Sequence, residues 1–132
     1  MEKLRLKESC LYARDLRRMR SFYEEVLGLE VISYVPDEHV FFRAGPCVLL
    51  CFHPEHSAQK KEPPPHYADG EQHLAFEASN SDFEAWQKQL SDQGILIEQF
   101  QAWHGGKKSS FYFRDPERNL IEILQEGVWY AE

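Results

Sequence analysis

Residues 109–126 read Ser-Ser-Phe-Tyr-Phe-Arg-Asp-Pro-Glu-Arg-Asn-Leu-Ile-Glu-Ile-Leu-Gln-Glu. Two apolar, aromatic and β-branched runs flank Asp115-Pro116-Glu117-Arg118-Asn119, where Pro sits at the first central position of a tight reversal with Asp before it and Asn after it. The stretch predicts a β-hairpin. Its second arm holds one carboxylate, Glu122, among Leu120, Ile121, Ile123 and Leu124. Such an acid either lies on an exposed strand face or faces a pocket where it meets a cation.

Working outward from the hairpin, residues 101–108 with Gly105-Gly106 predict a loop, residues 95–99 a strand, and residues 73–79 another. Between these strands Ser81-x-x-Glu84 is a capping box opening a helix with Phe83, Trp86, Gln87 and Leu90 at helical spacing, stopped by Gly94. Residues 54–72 are polar, Pro-rich and without period, which suits an extended connector between modules. Before it, residues 4–13 alternate as a strand. Asp15 offers a cap, and Leu16, Met19, Tyr23, Val26 and Leu27 share one helical face before Gly28. Strand candidates follow at 29–35, 40–44 and 47–53.

The order strand, helix, three strands thus occurs twice: module one over 1–53, a linker over 54–72, and module two over 73–132. A repeat of about 60 residues buries too little surface alone to be comfortable. The expectation is therefore one α+β domain of two βαβββ modules, their sheets forming a curved cup with helices outside.

The 132 residues include 22 acidic and 15 basic side chains, a formal charge of −7, without a basic stripe. Nucleic acid and anionic membrane are poor partners for such a chain. No apolar run is long enough to span a bilayer and no leader pattern opens the chain, so a cytoplasmic protein is expected. Cys10, Cys47 and Cys51 are odd in number and form no Cys-x-x-Cys pair, as in a reducing compartment.

Ala13-Arg14-Asp15-Leu16, Phe22 through Leu29, His73-Leu74-Ala75-Phe76-Glu77 and Phe111 through Pro116 leading to Asn119-Leu120-Ile121-Glu122 together resemble the vicinal oxygen chelate superfamily. This group spans glyoxalases, extradiol dioxygenases, thiol transferases and bleomycin-binding proteins. The resemblance implies that strands facing the cup carry metal ligands, and the matching positions are Glu8, Leu50, His73 and Glu122. Glu8 departs from the His common in the family, and Leu50 cannot ligate. The resemblance also puts Gly where Arg118 stands, a position that wants a left-handed backbone. The period of two gives an independent check, since it places Glu8, Leu50, His73 and Glu122 opposite the residues that helices should cover.

One imidazole and two carboxylates suit a divalent metal such as Mn, Fe, Ni or Zn. The expected metal ligands are Glu8, His73 and Glu122, with Glu8 or Glu122 doubling as catalytic base. Arg43, Leu50, Trp103, His104, Lys107 and Tyr112 are the candidate substrate contacts. Residues 103–108 form either a rim over the cup or a solvated connector. His39, His53, His56 and His66 are expected at the surface, and Cys10 in the core. These features support a metal-dependent enzyme of the glyoxalase or dioxygenase type. Its chemistry would be isomerase, lyase, thiol transfer or ring cleavage on a small oxygen-chelating molecule, and the chain would act as a homodimer. The alternative is a metal-free module that binds a small molecule or drug, and a third reading is a partner-binding scaffold whose ligands have drifted.

Overall fold

The computed structural model describes residues 1–129, so the end of the second expected module, residues 130–132, lies outside the described residues. The elements run β1 (Glu8–Tyr12), α1 (Leu16–Ser21), a π-helical turn (Phe22–Val26), β2 (Glu30–Val35), β3 (His39–Ala44) and β4 (Cys47–Phe52). They continue through α2 (Pro54–Ala58), β5 (His73–Ala78), α3 (Phe83–Asp92), β6 (Gln99–Trp103), a 3-10 turn (His104–Gly106), β7 (Lys108–Arg114) and β8 (Leu120–Gln125). Two compact units result, Met1–Gly70 and Glu71 onward. Each holds a four-stranded mixed sheet, ordered β1-β4-β3-β2 in the first and β5-β8-β7-β6 in the second. The first strand of each unit pairs in parallel with the last, and the remaining pairs are antiparallel. This is the α+β, twice βαβββ architecture read from the sequence.

In the first unit Asp15 caps α1 by accepting from the Arg18 amide at 3.1 Å. Six residues make too short a helix to persist alone. Burial of Leu16, Met19 and Tyr23 over the sheet face carrying Leu11, Phe42, Leu49 and Cys51 holds it in place, each large apolar side chain contributing roughly 2 kcal/mol. The Leu27 amide reaches back five residues to the Phe22 carbonyl at 3.3 Å. That π-turn adds a residue to the register and brings Phe22 into the core, leaving Val26 only half-buried. A regular 3.6-residue period does not foresee this shift.

In the second unit Phe83 and Leu90 of α3 are buried, as are Phe111, Phe113, Ile121 and Ile123 on one sheet face. Three expectations are corrected here. The residue before α3 is Asp82, which makes no side-chain cap. Ser81 bonds the Ser79 hydroxyl instead, and Ser79 Oγ accepts from the Asp82 amide at 3.2 Å, so no capping box forms. The strand expected over 95–99 runs from Gln99 to Trp103, because its apolar Phe100 pairs with Phe111 on the core face. Finally, the connector is not wholly extended. Pro54–Ala58 is helical, Ser57 Oγ donates to the His66 carbonyl at 2.8 Å, and Arg14 binds Glu55 and Asp69. These tie-downs span up to 55 residues and leave no periodic signal.

The hairpin turn is built around buried polar groups. Asp115 Oδ1 accepts from the amides of Glu117 (2.9 Å) and Asn119 (3.0 Å), and its Oδ2 accepts from Asn119 Nδ2 (3.0 Å). Asn119 Oδ1 in turn accepts from the Gln72 amide, which docks the entry of β5 onto the turn. Arg118 has a φ of +67°, the left-handed conformation expected at this position, where a Cβ is strained. Its ion pair with Glu71 is two-thirds exposed at the arginine and adds little. Arg118→Gly should therefore raise stability by about 0.5 kcal/mol in urea denaturation. A loss of similar size would show that the ion pair outweighs the backbone strain.

Candidate functional site

In the second unit, His73 on β5 and Glu122 on β8 project from the sheet face opposite the core. The register pairs His73 with Leu120 and Glu122 with both Ala75 and Tyr112. Glu122 is not on an exposed strand face: its side chain is 7% accessible, against 51% for His73. A buried carboxylate needs partners, and these are present. Ser110 Oγ donates to Glu122 Oε2 at 2.6 Å, and Trp103 Nε1 donates to Ser110 Oγ at 2.9 Å. Because indole is only a donor, Ser110 must turn its own proton to the carboxylate. Tyr112 is the cross-strand partner of Glu122, and its hydroxyl pKa is pushed up, first by burial and then by the carboxylate beside it, so the phenol keeps its proton.

Glu122 Oε1 is left facing His73 Nε2 at 3.4 Å. His73 Nδ1 lies 2.8 Å from the Leu120 carbonyl, which can only accept, so Nδ1 carries a proton and Nε2 is the nitrogen turned toward Glu122. A backbone oxygen fixing the second nitrogen is how imidazoles in metal sites are commonly oriented. Two donor atoms each about 2.1 Å from one ion at the tetrahedral angle stand about 3.4 Å apart, the separation found here. His73 and Glu122 therefore fit as two ligands of a divalent ion. Among the described residues, no group of three or more His, Cys, Asp or Glu stands together as a ready metal site.

The other candidates in this unit are arranged differently. Trp103 and Tyr112 support Glu122 as described. His104 takes a φ of +53°, and its Nε2 donates to the Val128 carbonyl at 2.6 Å, so that nitrogen serves the chain itself. Lys107 is exposed after the 3-10 turn.

In the first unit, Glu8, Leu50 and Arg43 line a hollow of about 800 Å³. Cross-strand register arranges its floor in rows. Glu8, Val48 and Arg43 form one end, Cys10, Leu50 and Phe41 the middle, and Tyr12, Phe52 and His39 the far end. Lys60, Pro63 and His66 border it from the connector. Cys10 thus faces the hollow half-buried rather than packing in the core, and burial followed by the Glu8 charge pushes its pKa up. It is a poor nucleophile at neutral pH.

Sequence reasoning missed three residues of these two faces. Ser110 is in phase with Tyr112 on β7, and His39 is in phase with Phe41 and Arg43 on β3, so the period of two could have found both. His39 and His66, expected at the surface, instead border the hollow. His66 had no sequence signal, because its place depends on Ser57 and on a 2.6 Å bond between its Nδ1 and the Tyr12 hydroxyl.

Comparison with known proteins gives these faces a context. A family model for the Glyoxalase/Bleomycin resistance protein/Dioxygenase superfamily matches residues 5–123. The metallothiol transferase FosB of Bacillus licheniformis is 28% identical over 115 residues, covering 87% of this chain and 71% of that protein. The FosB of Staphylococcus saprophyticus is 26% identical over 120 residues, covering 88% and 76%. A crystal structure of lactoylglutathione lyase from Agrobacterium tumefaciens matches with a TM-score of 0.92 at 31% identity, covering 98% of this chain and 99% of that one. Its duplicated βαβββ order and the family match along nearly its whole length make this chain a member of the glyoxalase/bleomycin resistance protein/dioxygenase superfamily.

Proposed function

We propose that this protein is a divalent-metal enzyme acting on a small molecule with two adjacent oxygens, by thiol transfer or by a lyase or isomerase step. The observation that carries the reading is the His73 Nε2 and Glu122 Oε1 pair, 3.4 Å apart with the other atoms of both side chains already committed. Similarity to a metallothiol transferase and to a lactoylglutathione lyase supports the reaction classes. Glu8 is the third ligand we propose, contributed by a second copy of the chain in a homodimer. Leu50, which has no donor atom, leaves coordination positions open for substrate.

The bound ion, Mn, Fe, Ni or Zn, would supply Lewis acidity toward a developing oxyanion. The chain's own residues do the rest. Ser110 holds Glu122 Oε2 so that Oε1 is directed at His73, and Trp103 holds Ser110. The Leu120 carbonyl fixes the His73 tautomer. Glu122 Oε1 is the oxygen placed to take a proton.

Wild-type protein exchanged into metal-free buffer after loading should retain about one divalent ion per chain by elemental analysis. Retention well below half an ion per chain for every metal tried would overturn the reading. It would favour the second one, a metal-free small-molecule or drug-binding module, which the apolar floor of the first unit's hollow supports.

A further inference from the structure

The hollow of the first unit has a chemical polarity that defines its occupant more narrowly than "small molecule". From its middle row to its far end Phe41, Phe52, Tyr12, His39 and His66 form a continuous aromatic wall, with Lys60 Nζ 5.8 Å from the Phe52 ring centroid. His39 stacks on Phe41 at 4.0 Å between centroids, Phe41 meets Phe52 edge-on at 5.4 Å, and Phe52 meets His66 edge-on at 4.5 Å. Burial, and then the nearby Lys60, lower the His39 pKa, so this ring is a neutral part of the wall. Such a wall offers ring faces and edges to a planar guest. Leu50 and Val48 continue the apolar floor toward the opposite end.

At that opposite end stands Arg43, exposed and, among the described residues, without an ion pair, in a chain whose net charge is −7. Glu8 occupies the same row, but Val48 separates the two strands, a span of about 9.6 Å. Glu30 lies opposite Arg43 on β2 but does not line the hollow. A guanidinium at the rim of an apolar floor presents a planar fork that matches a carboxylate. Phe41 is two residues from Arg43 on the same strand face, about 7 Å along the strand.

We infer that the hollow binds an aryl carboxylate, its ring on the Phe41 and Phe52 wall and its anionic group at Arg43, with a spacer of one to three carbons between them. The inference deepens the function proposed above and rests on it for the claim that this occupant is a substrate. The binding itself requires only the first unit's residues.

Titration calorimetry of the full chain with 3-phenylpropionate, 3-phenylpropionamide and propionate tests this. The aryl acid should bind at least about tenfold tighter than either the neutral amide or the ringless acid, the order of magnitude of one charge-assisted hydrogen bond and one buried ring. Arg43→Gln should abolish the preference for acid over amide while amide binding persists, and Phe41→Leu should weaken both. The inference is overturned if acid and amide bind equally to the wild type, if neither binds, or if the preference survives in Arg43→Gln. Run in EDTA and again with added Mn²⁺, the titration separates the two readings. A protein that retains no ion but prefers the aryl acid loses only the metal assignment. One that retains an ion but shows no preference loses only the ligand class.

Discussion

Exchanging Glu122 for Gln should lower affinity for a divalent ion by at least about 100-fold while leaving the fold in place. Removing groups that merely orient a ligand already costs 10- to 100-fold in such sites, and this change removes the ligand's charge. The amide is isosteric, and its carbonyl oxygen still accepts from Ser110, so the hydrogen bond at 2.6 Å survives. What disappears is the anionic oxygen at 3.4 Å from His73 Nε2. Thermal unfolding should shift by no more than the equivalent of about 1 kcal/mol, since one charged partner of a half-exposed imidazole is lost. Equilibrium dialysis against Mn²⁺ or Zn²⁺ measures the affinity, and His73→Ala should give a comparable loss. Equal affinity in wild type and Glu122→Gln would mean that Glu122 is a buried acid stabilised by Ser110 and nothing more.

The second large effect is structural. Asp115→Ala should destabilise the protein by about 3 kcal/mol, measured as a shift of the urea midpoint at unchanged slope. The carboxylate is 4% accessible and accepts three hydrogen bonds, from the Glu117 and Asn119 amides and from Asn119 Nδ2. Deleting it leaves these donors without the acceptor they face, beside an Asn119 that is wholly buried. The damage would extend to β5, because Asn119 holds the Gln72 amide, and so to the strand that presents His73. A loss below 1 kcal/mol would show that water replaces the carboxylate and that the turn depends on Pro116 and the flanking strands alone.

The fold was legible because its signals are local. Strand alternation, Gly28 after the first helix and the Asp-Pro turn each specify their own neighbourhood, and the second unit repeats the order. The placement of His73 and Glu122 was legible for the same reason: period-two reasoning put both on the face opposite Ile121 and Ile123, and burial of those two isoleucines agrees. Where reading failed, a distant partner had intervened. Residues 95–99 looked like a strand until Phe100 paired with Phe111. The connector looked formless because Ser57, Arg14 and His66 hold it through bonds to residues far along the chain. His104, a candidate substrate contact in the sequence, instead spends its Nε2 on the Val128 carbonyl.

The central claim is that His73 and Glu122 together hold a metal. A crystal structure of Mn²⁺-loaded protein, with anomalous scattering recorded at the metal edge, addresses it most directly. One strong anomalous peak is expected within about 2.3 Å of both His73 Nε2 and Glu122 Oε1. A fully loaded crystal with its peak elsewhere, and with those two atoms still in direct contact, would contradict it.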